Sequence, residues 1–189
     1  MSILRFAESE NNKLKRNAAE IASYGAALAG KLNKDCVAVS FNADNAQELG
    51  QFGVSKAFNI TNVPQQFDAH VYANVLTHYI KSLGATHIIL GSSADAKFLA
   101  PLVAANTNAA YVPNVVALPH EQQPLTVRRT VFTNKAFAST TLTAEVNIIG
   151  VGNNAFGTVE QAGECVVEHA TVEHAASHVE QLSISKETG

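Results

Sequence analysis

The chain has no tryptophan, one methionine and two cysteines in 189 residues. Two thiols far apart in apolar company, Cys36 and Cys165, do not make a disulfide framework. They read as buried thiols in a reducing compartment. Charge is scarce too. Asp, Glu, Lys and Arg make up 15% of the residues, and the formal net charge is −3. The 13 basic residues are scattered, with no run beyond "KLKR" (13–16), which removes the electrostatic footprint of nucleic-acid binding. No charged leader precedes an apolar stretch, so no secretory signal or other targeting sequence is expected, and the expected location is the bacterial cytoplasm. The longest apolar runs are strand-sized, so no membrane insertion is expected. Hydrophobic residues, in contrast, reach 47%, enough for one domain with a sizeable core. A surface this poor in charge implies that part of it is covered by another domain or subunit.

Several apolar runs lack polar alternation, as strands buried on both faces do. They are "SILRFAE" (2–8), "DCVAVSF" (35–41), residues 56–60 and "THIILGS" (strand 86–91). Between them lie helical patterns. Leu14, Ala18, Ile21, Gly25, Leu28 and Leu32 recur at steps of four and three, which predicts a helix over 13–32. "NAQELGQFG" predicts a short helix ending near Gly50 or Gly53. Phe67, Val71, Val75 and Leu83 share a face of a helix over 68–83, stopped by Gly84. A further helix reaches about Asn108, with Pro101 expected to make its first turn irregular or kinked. The rhythm predicts an α/β, three-layer, mostly parallel Rossmann-like sheet, of the universal-stress and nucleotide alpha-hydrolase type. After Ala110 come β-branched, alternating segments: "NVVALP", "LTVRRTVFTN", "KAFASTTLTA", "VNIIGVG" and "ECVVEHATVEH". They predict additional C-terminal strands that extend the sheet or form an antiparallel flap. The domain is expected to span 1–180, with 181–189 a polar tail or the start of a linker.

Chemistry-bearing residues are few. The loop Gly91-Ser92-Ser93-Ala94-Asp95 joins a strand to a helix, where α/β folds hold ligands on free backbone N–H groups. Ser92 and Ser93 either meet a phosphate or cap the helix. The loop is neither GxxxxGK[ST] nor GxGxxG, and Asp95 repels phosphate. Arg128 and Arg129, adjacent on a strand, point to opposite faces. Either one meets a carboxylate or a flavin-type anion, or both are edge charges that discourage sheet-to-sheet pairing. His169, His174 and His178 cluster near the end without a metal motif and read as solvated. "GVGNNAFG" (150–157) fits a turn and not a phosphate loop. No nucleophile and base can be paired, and no catalytic residue is assigned.

The ordered set "MSILRFAES", "KLKRNAAEIASYGAAL", "GVSKAF", "THIILGSSADAKFLAPLVAANTNAAYVPNVVAL" and "VRRTVFTNKAFASTTL" resembles the amino-terminal domain of the electron transfer flavoprotein alpha subunit, from Met1 to about Gly157. "RTVFTNKA" (129–136) stands where the family writes an "RPVYAGNA"-like stretch. Arg129 and Ala136 match, while Lys135 replaces an asparagine whose role is not carried over. The family's carboxyl-terminal domain, which holds most of the FAD in an "SGRG"-like segment, is not in these residues, and the chain is expected to be a first domain alone. The resemblance implies a scaffold that binds a beta subunit within a heterodimeric FAD electron carrier between dehydrogenases and the respiratory chain. It also implies no catalytic constellation and no FAD on this chain alone. Ser92, Ser93, Arg128 and Arg129 remain the candidate cofactor contacts. The alternative is a stand-alone universal-stress-like nucleotide-binding domain, which a glycine-rich phosphate loop late in the chain would mark.

Overall fold

Apolar runs without polar alternation become the centre of one sheet. The computed structural model describes residues 2–177 together with 179, 180, 182, 183 and 185. Strand β1 (Ser2–Ala7) is followed by two short strands, β2 (Ser9–Glu10) and β3 (Lys13–Leu14), and by helix α1 (Asn17–Leu32). Then come β4 (Cys36–Phe41), a 3-10 helix (Ala46–Phe52), β5 (Lys56–Ile60), α2 (Ala69–Ser82), β6 (Ala85–Leu90) and α3 (Ala94–Thr107). The remainder is β7 (Ala110–Val115), β8 (Glu121–Gln122), β9 (Leu125–Val131), β10 (Ala136–Leu142), β11 (Asn147–Val151) and β12 (Val166–Ala170). The main sheet runs in the order β10-β9-β7-β11-β6-β1-β4-β5-β12, with β8 beside β9. From β7 to β12 every pairing is parallel; only the pairings of β9 are antiparallel.

The expected α/β class and mostly parallel sheet are what the structure shows. "HIILG" is central: β6 lies between β1 and β11. Alternate residues of β6 feed opposite layers. Ile88 and Leu90 join a core with α2 and α3, and Ile89 joins one with α1. Burial on both faces is why this strand carries no polar alternation. Truncating Ile88 to Ala would cost about 2–5 kcal/mol, the usual range for a packed core site.

Several expectations need correction. Helix α1 begins at Asn17, not at residue 13, because Asn11 and Asn12 both adopt positive φ (51° and 61°). Two consecutive left-handed residues make a tight hairpin turn that pairs Ser9 with Leu14, which puts Leu14 in β3. Phe67 precedes α2. Asp68 caps that helix, accepting from the His70 and Val71 amides, and Phe67 stacks edge-on against Tyr72, its ring centroid 5.4 Å away. Pro101 falls in the middle of α3 rather than its first turn, and the helix runs on through it. Last, β11 does not extend an edge or a flap. It is inserted parallel between β6 and β7, fully buried, and among the described residues β8, β9 and β10 form the antiparallel extension. Strand β7 also runs earlier than expected, over "AYVPNV". Cys36 and Cys165 are free and half-buried rather than fully buried. The expected boundary at 180 and the tail after it fall largely outside the described residues, as does His178.

A switch-point crevice filled by the chain's own carboxylates

The chain leaves β1 toward β4 and β5 on one side, then returns to place β6 on the other. That reversal puts a crevice between the carboxyl ends of β1 and β6, the usual ligand position in an open α/β sheet. Here Glu8 occupies it. Its side chain lies at the end of β1 with the residue only 4% exposed. Ser93 donates to its Oε2 at 2.7 Å, Asn17 donates to its Oε1 at 3.0 Å, and the Lys15 ammonium stands 3.6 Å away. Ser93 at the same time accepts from the Ala96 amide at 3.0 Å, so it both caps α3 and ties the helix start to β1. Lys15 reaches across to Asp95 at 2.8 Å. Burial works against the Lys15 charge, but the Asp95 hydrogen bond and the Glu8 charge outweigh it and raise its pKa. Gly91 is required by this packing: a Cβ there would sit 2.7 Å from the Asn17 amide and 2.9 Å from Glu8 Oε1.

The second anion position lies beyond β11. The loop "GNNAFG" (152–157) turns its backbone amides inward, and three of them converge on Glu20 of α1. Asn154 donates to Oε2, and Phe156 and Gly157 donate to Oε1, each at 2.9 Å. Successive inward-turned N–H groups form the kind of concavity that binds phosphate elsewhere. In this chain a carboxylate 6% exposed fills it. Phe156 then packs edge-on against Tyr24, at 5.2 Å between ring centroids, and Tyr24 donates to the Ala117 carbonyl at 3.1 Å. Burial holds the Tyr24 hydroxyl far above its usual pKa, so it is a permanent donor. Beside Glu20 opens a pocket of about 570 Å³, bordered by Lys15, Arg16, Asn17, Ser93 and Asn154. At the two positions, the Ser93 hydroxyl and the three loop amides that could face a phosphate are taken by Glu8 and Glu20.

The family model of the electron transfer flavoprotein domain matches residues 3–176. The chain belongs to the electron transfer flavoprotein domain family. A search of curated proteins finds no match.

The four candidate residues of this electron transfer flavoprotein domain separate into three places. Ser93 belongs to the Glu8 site. Ser92 donates to the Val151 carbonyl at 2.7 Å, joining the α3 start to the end of β11. Arg128 is exposed on β9 and lies over the Phe137 ring, 4.0 Å from its centroid. Ser92 and Arg128 line one groove of about 610 Å³, on the other side of the 152–155 loop from the Glu20 pocket. Arg129 alternates away from Arg128, opposite Val115 and Ala138, with its Nε buried and without a hydrogen-bond partner among the described residues. The expected division of the two arginines between faces is what the register gives.

His169, on edge strand β12, approaches Asn59 at 3.5 Å. His174 contacts the Asn62 and Ala175 carbonyls, both at 2.9 Å. No group of His, Cys, Asp and Glu suited to a metal occurs among the described residues. No helix there is long and apolar enough to cross a membrane.

Sequence reasoning missed Glu8 and Glu20. A signal existed for Glu20: it is the only acid between Glu10 and Asp35, set in an alanine-rich helix. What it serves is a loop more than 130 residues away, which no local pattern reveals.

Proposed function

We propose that this domain is the scaffold and beta-subunit-binding part of an electron transfer flavoprotein alpha-type subunit. In that role it takes part in a cytoplasmic, heterodimeric electron carrier without performing catalysis, and FAD is held by a further domain of the alpha subunit. One observation carries the reading: both anion positions of the fold are filled by Glu8 and Glu20. A nucleotide-binding domain of the universal-stress type needs those positions for phosphate, so the same observation weighs against that alternative. The antiparallel extension supports a partner role. The hairpin of β9 and β10 exposes Phe132 and Phe137 to 81% and 57%, unusual for large apolar side chains on a free surface.

The test has two arms. The purified chain is incubated with excess FAD, then separately with AMP, desalted, and examined by its visible and ultraviolet spectrum. No retained nucleotide is expected, since a few phosphate contacts without ring burial hold only about micromolar to millimolar affinity. A yellow protein with near-stoichiometric flavin would overturn the division of labour. In the second arm the alpha chain is co-expressed with a beta subunit of the same source, and Phe132→Asp with Phe137→Asp is expected to reduce co-purification.

A further inference from the structure

The groove that holds Ser92 and Arg128 is chemically one-sided. It lies where the start of α3 meets the ends of β7 and β11 and the β9–β10 hairpin. Its lining includes Lys97, Arg128, Asn114, Thr130 and Phe137, and no carboxylate among the described residues. Neither cation takes part in an ion pair among the described residues. Asp95, the acid nearest in sequence to Lys97, is held by Lys15 on the far side and does not line the groove. Lys97 stands in the first turn of α3, whose free amides add positive potential. In a chain of net charge −3 this concentration of unpaired positive charge is local and distinct.

The groove also has the anatomy of an interface rather than of a small-molecule pocket. It is open to solvent, and Arg128 is held in place by its stack on an exposed aromatic ring. Beyond it the hairpin turn presents Phe132. Arginine and aromatic anchors in a desolvatable groove are what dominate binding energy between proteins. A planar guanidinium with its fork free recognises a carboxylate bidentately.

We propose that this groove receives an acidic segment of the partner subunit, with a carboxylate held between Lys97 and Arg128 and apolar neighbours seated against Phe137. The proposal rests on the partner-binding reading above and specifies its chemistry: charge complementarity at this groove orients the two subunits, and the hairpin aromatics supply the apolar part.

The experiment measures association of the full alpha chain with the beta subunit of the same source by calorimetric titration at low and high salt. Lys97→Glu with Arg128→Glu is expected to weaken association at low salt by about tenfold or more and to flatten its salt dependence. Lys97→Gln with Arg128→Gln should give a smaller loss of the same kind. Both positions are exposed, and thermal midpoints verify that the variants fold. If the reversed pair binds within about twofold of wild type with the same salt slope, while Phe132→Asp still weakens assembly, the acidic partner segment is refuted and the partner-binding reading stands. If none of these substitutions alters association, the reading falls with it. Inorganic phosphate that raises the thermal midpoint of wild type but not of the reversed pair, with assembly unchanged, would reassign the groove to a small anion and overturn the proposal.

Discussion

Glu20→Ala tests whether the 152–157 loop is held by a resident anion. Three amides donate to this carboxylate at 2.9 Å, and all three lose their acceptor when it is removed. Hydrogen bonds to a charged group contribute about 1.5–3 kcal/mol each, and a fully buried orphaned donor costs a similar amount. The loop borders an open pocket, so water replaces part of what is lost. The expected net destabilisation is about 3 kcal/mol, well below the sum of three such bonds. For a domain of this size that lowers the thermal midpoint by roughly 6–12 °C. Glu20→Gln should fall between: one oxygen still serves Phe156 and Gly157, but the new amide meets the Asn154 N–H donor to donor. The decisive arm is rescue. Formate restores a carboxylate to the vacated concavity and should raise the midpoint of Glu20→Ala with rising concentration, by mass action, while leaving wild type unmoved. Differential scanning calorimetry in matched concentrations of formate and chloride separates anion binding from ionic strength. A Glu20→Ala protein that loses less than about 1 kcal/mol, or that formate stabilises no more than chloride does, would refute the anion-site argument.

The hairpin turn stores strain: Phe132, Thr133 and Asn134 all have positive φ (50°, 53° and 64°), and Thr133 is β-branched and exposed. Thr133→Asn should therefore stabilise by about 0.5–1 kcal/mol, read as a higher denaturant midpoint at unchanged slope. Burial, aided by the Lys34 charge, pushes the His87 pKa down to about 4. The unfolded chain then takes up a proton that the folded one refuses. The contribution of His87 is complete above its unfolded pKa of about 6.5, and stability is lost as pH falls from there toward about 4. His87→Gln should flatten stability against pH in that window, and an unchanged acid limb would refute the assignment. His174 behaves oppositely. Its two ring nitrogens face the Ala175 and Asn62 carbonyls, with Asp68 nearby, which raises its pKa. Its contribution is full below about 6.5 and is lost as pH rises through the raised value. Proteolysis after Val172 should accelerate on the alkaline side in wild type but not in His174→Ala.

The layers of the fold were legible because they follow from local rules. A strand buried on both faces must be apolar throughout, as "HIILG" and "CVAVSF" are, and α1 and α2 carry apolar faces at helical spacing. The same rules gave the alternation of Arg128 and Arg129, because neighbouring residues on a strand project to opposite sides. The place of β11 was not legible. "VNIIGVG" reads equally well as an edge or a centre, and its insertion between β6 and β7 depends on which strand ends are left unpaired when the chain closes. Leu14 falls at the start of the helical period yet belongs to β3, because Asn11 and Asn12 just before it tolerate the left-handed turn that folds the backbone back on Ser9 and Glu10. The site divides in the same way. Sequence alone placed a serine-capped loop at a strand end, where α/β folds hold ligands. Only the tertiary structure decided what occupies that position. Glu8 reaches it from the end of β1 and is met there by the side chains of Ser93, Asn17 and Lys15, while Glu20, at the second position, is met by backbone amides more than 130 residues away that only folding brings near.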